Sequence, residues 1–149
     1  MSIGTICNRN VVTVRADASI REAAALMRDR HIGDVVIIEQ RGSLTVPAGI
    51  LTDRDLVVEL LAKDTTPQTV TVGDVMSPDP VTARVDADLL ETVVMMRGRG
   101  VRRLPVVDEA GGLVGIVTLD DLFDLVSDLT GDISVLISRE RRRERQTRP

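Results

Sequence analysis

Apolar residues fall into short blocks along this chain. Val11–Val14 and Val81–Ala83 read as short strands, and Val35–Ile38 and Leu104–Val107 as strands without a polar face. A fully apolar run of this length fits a strand covered on both sides. Between these blocks the spacing turns helical, at Ile20, Ala23, Ala24 and Met27, and again at Leu89, Val93 and Met96. Ser19-Ile20-Arg21-Glu22 has the form of a capping box, and Asp88-Leu89-Leu90-Glu91 repeats its geometry. Turn-rich loops, Gln40–Ser43 and Asp108–Gly112, lead to further strands at Ala48–Leu51 and Leu113–Val117. Helices are expected to start near Asp53 and Leu119, the first turning Leu56, Val57, Leu60 and Leu61 inward. After Gly131, Ile133–Arg145 reads as a last amphipathic helix fading into an Arg-rich coil.

The order occurs twice. Ile3–Ile38 laid over Val72–Val107 at an offset of 69 gives ten identities in 36 positions, among them Gly4/Gly73, Asp17/Asp86, Glu22/Glu91 and Met27/Met96. Gly49-Ile50-Leu51-Thr52 then matches Gly115-Ile116-Val117-Thr118, and Asp55-Leu56 matches Asp121-Leu122. Two copies of one β-α-β-β-α unit explain this, at residues 3–62 and 72–130. Residues 63–71 form a linker and 131–149 a C-terminal helix and tail. A unit of about 60 residues is marginal alone, so the two are expected to bury each other's apolar faces. The fold class expected is α/β (α+β).

Composition narrows the chemistry. With 149 residues and 16.2 kDa, 43% apolar and 28% charged, the chain has enough apolar material for one core. One cysteine, Cys7, excludes an internal disulfide and a Cys-cluster metal site, and one histidine, His31, excludes most zinc chemistry. His31 aligns with Gly100 and reads as a helix-end residue; Cys7 aligns with Met76 and reads as a small apolar filler. There is no Trp or Tyr and one Phe, Phe123, so base stacking on aromatic rings is not available as a broad platform. Net charge is −4, yet residues 139–149 hold six Arg and two Glu, a sum of +4 that leaves −8 for the rest. That tail reads as a solvated end, or as a contact for nucleic acid, an anionic surface or a partner chain. No run approaches the roughly 20 apolar residues of a membrane span, and Met1–Asn10 has no apolar signal segment. A cytoplasmic location is expected. No Ser–His–acid set, Gly-rich phosphate loop or metal triad emerges, so no enzyme and no required cofactor or metal are expected.

Thr52/Asp55 and Thr118/Asp121 carry the candidate chemistry. A Thr at a strand end and an Asp in the next helical turn sit beside exposed N–H groups that favour an anion. A carboxylate there can also accept two hydrogen bonds from a ribose diol. The same two residue types are common N-caps that need no ligand.

The strand ending Gly115-Ile116-Val117-Thr118 with Asp121-Leu122, its copy at Gly49–Leu56, the opening Val72-Gly73-Asp74-Val75-Met76 with Pro80-Val81-Thr82, and Arg103-Leu104-Pro105-Val106-Val107-Asp108 together resemble the CBS-domain family. The resemblance runs from Ile3 to about Leu129 and implies a CBS pair, or Bateman module, with its repeats related by a pseudo-twofold axis. It implies two clefts shared between repeats. One would combine Thr5, Asn10, Ile32 and Gly33 with Thr118, Asp120 and Asp121. The other would combine Asp74, Val101, Arg102 and Arg103 with Thr52, Arg54 and Asp55. Ile3-Gly4-Thr5 is similar to the family's adenine-contacting opening segment, and the main chain of Ile32–Gly33 or Val101–Arg102 would read the adenine edge.

The resemblance implies a regulatory module for an adenosine ligand (AMP, ADP, ATP or S-adenosylmethionine) acting on a protein target in trans. A nucleic-acid-associated accessory protein using the basic tail, and a ligand-free dimerisation unit, are the alternatives. A homodimer is expected, because Leu122, Phe123, Leu125, Val126 and Leu129 exceed what one small domain buries. The clefts are expected to differ in charge. Arg54, Arg102 and Arg103 would draw phosphate to the second, where only Asp74 and Asp79 could offset them, while Asp34, Asp120 and Asp121 would repel it from the first.

Overall fold

The apolar blocks of the first repeat become strands β1 (Thr13–Arg15), β2 (Asp34–Arg41) and β3 (Leu44–Thr52) of a computed structural model that describes residues 1–147. Strand β1 runs parallel to β2, and β3 antiparallel to it, with an irregularity between Ile37 and Ile38. Val35, Val36 and Ile37 are fully buried, as a strand without a polar face requires. Helix α1 (Ile20–Arg30) starts where the Ser19 hydroxyl accepts the Glu22 N–H and stops on His31, whose φ of 53° lies in the left-handed region. Its core face is Ile20, Ala23 and Met27.

After β3 comes the short helix α2 (Asp53–Asp55) and then a π-helical stretch, Leu56–Leu61. Leu60 is buried and Leu56 packs against the core, but Val57 and Leu61 are exposed. The expected four-residue inner face fails because the segment winds wider than an α-helix. The Ala62 N–H reaches Val57 O and the Thr65 N–H reaches Leu60 O, five residues back in each case.

The second repeat holds α3 (Val72–Val75), β4 (Ser77–Pro78), β5 (Ala83–Arg84), α4 (Leu89–Arg99), β6 (Arg103–Val107) and β7 (Leu113–Thr118). Leu104, Pro105 and Val106 are fully buried. Helix α4 ends on Gly100 at φ 65°, the counterpart of His31. Both chain reversals need a left-handed residue, which glycine supplies without strain. The first and fifth strands begin later than the apolar runs suggested, at Thr13 and Ala83.

The two repeats exchange their opening segments. Ile3 N–H donates to Ala87 O and Gly4 N–H to Val85 O, while Val72 N–H donates to Ala18 O and Gly73 N–H to Ala16 O. These pairs are related by the offset of 69. Asn8 pairs with Ile116, and Ser77 in β4 pairs with Ile50 in β3. The sheets therefore run β1-β2-β3-β4 and β5-β6-β7, the first completed by residues of the second repeat. A contiguous β-α-β-β-α reading of each copy omits this edge.

The exchange explains two identities and one difference between the copies. A Cβ on Gly4 would lie 2.6 Å from Val85 O, and one on Gly73 3.1 Å from Ala16 O, so both glycines mark close backbone approach. Cys7 Sγ stands against Gly115 as Met76 stands against Gly49, so Cys7 does fill the apolar place expected of it. Gly4→Ala should destabilise the protein by about 1–3 kcal/mol through overpacking against backbone. Gly98→Ala should be neutral or stabilising, since that site in α4 has open space. Equal urea midpoints for the two variants would contradict the exchange.

Three exposed carboxylates hold turns in place. Thr71 donates its N–H and hydroxyl to Asp74, the Arg84 guanidinium donates to Asp86, and the Leu90 N–H donates to Asp88. Each of these contacts keeps its carboxyl below the usual carboxylate range. The depressed folded values mean stability that is present above about pH 4 and lost as pH falls further. Acid titration followed by circular dichroism should show this decline, and a flat profile down to about pH 2 would contradict it.

The chain divides into two units, Met1–Val117 and Thr118–Pro149. From Leu119 to Thr147 the second is one helix, α5. The break expected after Gly131 is absent. A single glycine costs a helix about 1 kcal/mol but does not end it. Arg148, counted in the basic tail, lies outside the described residues. No described helix is long and apolar enough to cross a membrane.

Candidate functional site

Thr52 closes β3 with extended backbone and caps α2. Its N–H and hydroxyl both donate to Asp55 Oδ2 at 2.8 Å, while the Asp55 N–H donates back to Thr52 Oγ1 at 3.1 Å. The pair is thus a capping box, the role that needs no ligand. Capping uses only Oδ2. None of the described hydrogen bonds engages Oδ1, so one carboxylate can cap the turn and still accept a bond from outside.

A cavity of about 440 Å³ opens beside this box, within the usual size range for small-molecule sites. Ile50 and residues 52–55 form one wall, and residues 100–103 the other. Ser77, Pro78, Asp79, Pro80 and Val81 complete the lining. Thr52, Arg54, Asp55, Val101, Arg102 and Arg103 line this one cavity. Asp74 does not line the cavity, because its carboxylate is held in the Thr71 capping box. Asp53, Asp79 and the 77–81 segment line it without having been singled out as ligand residues. A signal for Asp79 was present: the offset of 69 that assigned Asn10 lands on it.

The charge pattern differs from the expectation. Arg103 Nη1 lies 3.3 Å from Asp34 Oδ1, both groups partly buried, and also reaches Gly33 O at 3.5 Å. Asp34 thus serves as the counter-ion of a residue in the Arg-lined cleft. With Asp53, Asp55 and Asp79 in the lining, three Asp face three Arg, and the formal sum is zero. Burial strengthens the Arg103–Asp34 pair relative to an exposed one, so breaking it costs more than breaking a surface pair. Arg54 and Arg102 are exposed.

The other candidate residues fall in two places. Thr5, Asn10, Ile32 and Gly33 belong to the first unit. The Thr5 hydroxyl donates to Ser2 O at 2.6 Å, the Asn10 N–H donates to Asn8 Oδ1, and Gly33 O accepts the Asp53 N–H at 3.0 Å. The Ile32 N–H is used on Met27 O, as its counterpart on Val101 is used on Met96 O. Thr118, Asp120 and Asp121 belong to the second unit. There the Thr118 N–H and hydroxyl donate to Asp121 Oδ2 at 2.7 Å, which repeats the Thr52–Asp55 box. Asp120 is exposed.

Comparison with known proteins matches this architecture. The CBS domain profile matches residues 3–62 and 72–128. The uncharacterized protein MK0525 of Methanopyrus kandleri is 36% identical over 89% of this chain and 66% of its own length. The CBS domain-containing protein YhcV of Bacillus subtilis is also 36% identical, over 81% of this chain and 82% of its own. Among solved structures, the CBS domain pair of protein MJ0100, in complex with 5-methylthioadenosine and S-adenosyl-L-methionine, is 26% identical with a TM-score of 0.74. That likeness covers 86% of this chain and 97% of the other. With two matched repeats, a capping box after the last strand of each and two sheets of mixed α+β build, the chain belongs to the CBS-domain family as a tandem pair.

Proposed function

We propose that the cleft beside Thr52–Asp55 binds an adenosine-type ligand, and that its occupancy regulates a partner protein in trans. CBS pairs are regulatory modules that often bind adenosine ligands. The observation that carries the reading is that Asp55, whose Oδ1 no described hydrogen bond engages, lines a cavity of about 440 Å³ together with Val101, Arg102 and Arg103. Asp55 takes the ribose diol, and Thr52 Oγ1, whose proton is already given to Asp55, can accept from a ribose hydroxyl. Because the Val101 N–H is already bonded to Met96 O, the Val101 carbonyl and the Arg102 main chain are left to read the adenine edge. MJ0100, whose CBS pair holds two adenosine compounds without phosphate, supports the ligand class. Regulation follows when the ligand binds two conformations of the pair with different affinity.

The neutral lining ranks the ligands. S-adenosylmethionine, methylthioadenosine and AMP should bind ahead of ATP, whose added negative charges meet no uncompensated cluster of cations. A thermal-shift panel of these four with GTP tests this. An adenosine ligand at 100 times its dissociation constant stabilises by about 2.7 kcal/mol. Absence of any shift with all adenosine compounds at millimolar concentration overturns the proposal. Arg102→Ala should weaken AMP several-fold and leave methylthioadenosine unchanged. Arg103→Ala is the poorer probe of phosphate, because it also breaks the partly buried pair with Asp34.

A further inference from the structure

We propose that helix α5 pairs with the α5 of a second copy of this chain, antiparallel, through Val126, Leu129, Ile133 and Leu136. This goes beyond the ligand reading and does not depend on it. The helix has 29 residues, about 43 Å at 1.5 Å per residue. Val126, Leu129, Ile133 and Leu136 are 59%, 50%, 59% and 65% exposed. Their spacing of three, four and three residues is the heptad seam by which helices wind around each other. Phe123 and Ile137, also exposed, flank that seam.

Charge selects both the occupant and its direction. From Leu119 to Asp132 the helix carries Asp120, Asp121, Asp124, Asp128 and Asp132 and no cation. From Ile133 to Thr147 it carries Arg139, Arg141, Arg142, Arg143 and Arg145 with two Glu. The helix dipole favours acids in the first turn and bases in the last, and its effect fades within a turn. It does not account for Asp124, Asp128 and Asp132, or for Arg139. Asp120, Asp124, Asp128 and Asp132 also stand four residues apart, a like-charge stripe that opposes an isolated helix. A parallel copy would set acid against acid and base against base. An antiparallel copy sets the acidic half of each helix against the basic half of the other, and closes as a twofold dimer. The partner that fits is therefore the same helix reversed, with its dyad in the Gly131–Ser134 region where the two halves meet.

The test uses the full chain in two measurements. Sedimentation should report twice the 16.2 kDa chain mass at micromolar concentration, and Ile133→Lys should weaken self-association at least 100-fold with unchanged circular dichroism. For direction, spin labels are placed at Ser134→Cys or Glu144→Cys in a Cys7→Ser background. Antiparallel pairing gives a short interlabel distance at 134 and an axial separation of about 30–40 Å at 144, from the helical rise. Short distances at both positions mean a parallel pair and overturn the inference. So does a dimer indifferent to Ile133→Lys, or a monomer whose basic end binds duplex DNA in its place.

Discussion

Asp55→Ala should weaken binding of an adenosine-type ligand by roughly 10- to 100-fold, the cost of one or two charge-assisted hydrogen bonds. The side chain has two jobs, and the variants separate them. Oδ2 closes the capping box with Thr52, so loss of the carboxylate also costs stability, typically about 1 kcal/mol for a cap. Asp55→Asn keeps an oxygen that can accept the Thr52 N–H, and with it most of the cap. It loses the charge and one acceptor that the ribose diol requires. Calorimetric titration should therefore show weak binding in both variants, with stability restored only in Asp55→Asn. Full binding by Asp55→Asn and Asp55→Ala alike would mean that the box is a cap and nothing more.

Ile3→Ala should cost about 2–5 kcal/mol, the range for emptying a fully buried aliphatic site. Residues this close to a chain end are ordinarily tolerant of change. Ile3 is not, because it is fully buried and its N–H is bonded to Ala87 O in the second repeat. Val72, its counterpart at the offset of 69, is equally buried and belongs to the core around α1 and β2. Val72→Ala should therefore destabilise the first repeat as Ile3→Ala destabilises the second. Urea unfolding of both variants checks this. A midpoint unchanged in Ile3→Ala would mean that the N-terminal segment is not part of the packed unit.

What could be read from the residues was whatever depended on local pattern. Val35–Ile37 and Leu104–Val106 announced buried strands because nothing in them could face water. His31 was legible as a helix end because its copy is Gly100, and both take the left-handed turn. The exchange of opening segments was not legible. A repeat shows that two segments are alike, and Gly4/Gly73 shows that both need close backbone approach, but neither tells which copy each one joins. The unbroken course of α5 was obscured by Gly131, whose helical cost is small beside the gain along 29 residues. In the cleft, Thr52 and Asp55 were singled out by the motif, and Arg102 by the family resemblance. The Arg103–Asp34 pair was not, because residues 69 apart on different strands meet only after folding. That pair engages one of the three arginines expected to draw phosphate, while Asp53, Asp55 and Asp79 bring the lining to a formal sum of zero.

The measurement closest to the central claim is a crystal structure of the protein grown with S-adenosylmethionine or AMP at saturating concentration. The proposal predicts density between residues 52–55 and 100–103, with both ribose hydroxyls on Asp55 and the adenine edge against the Val101–Arg102 main chain. An empty cleft under conditions where calorimetry reports binding would place the ligand elsewhere and contradict the account.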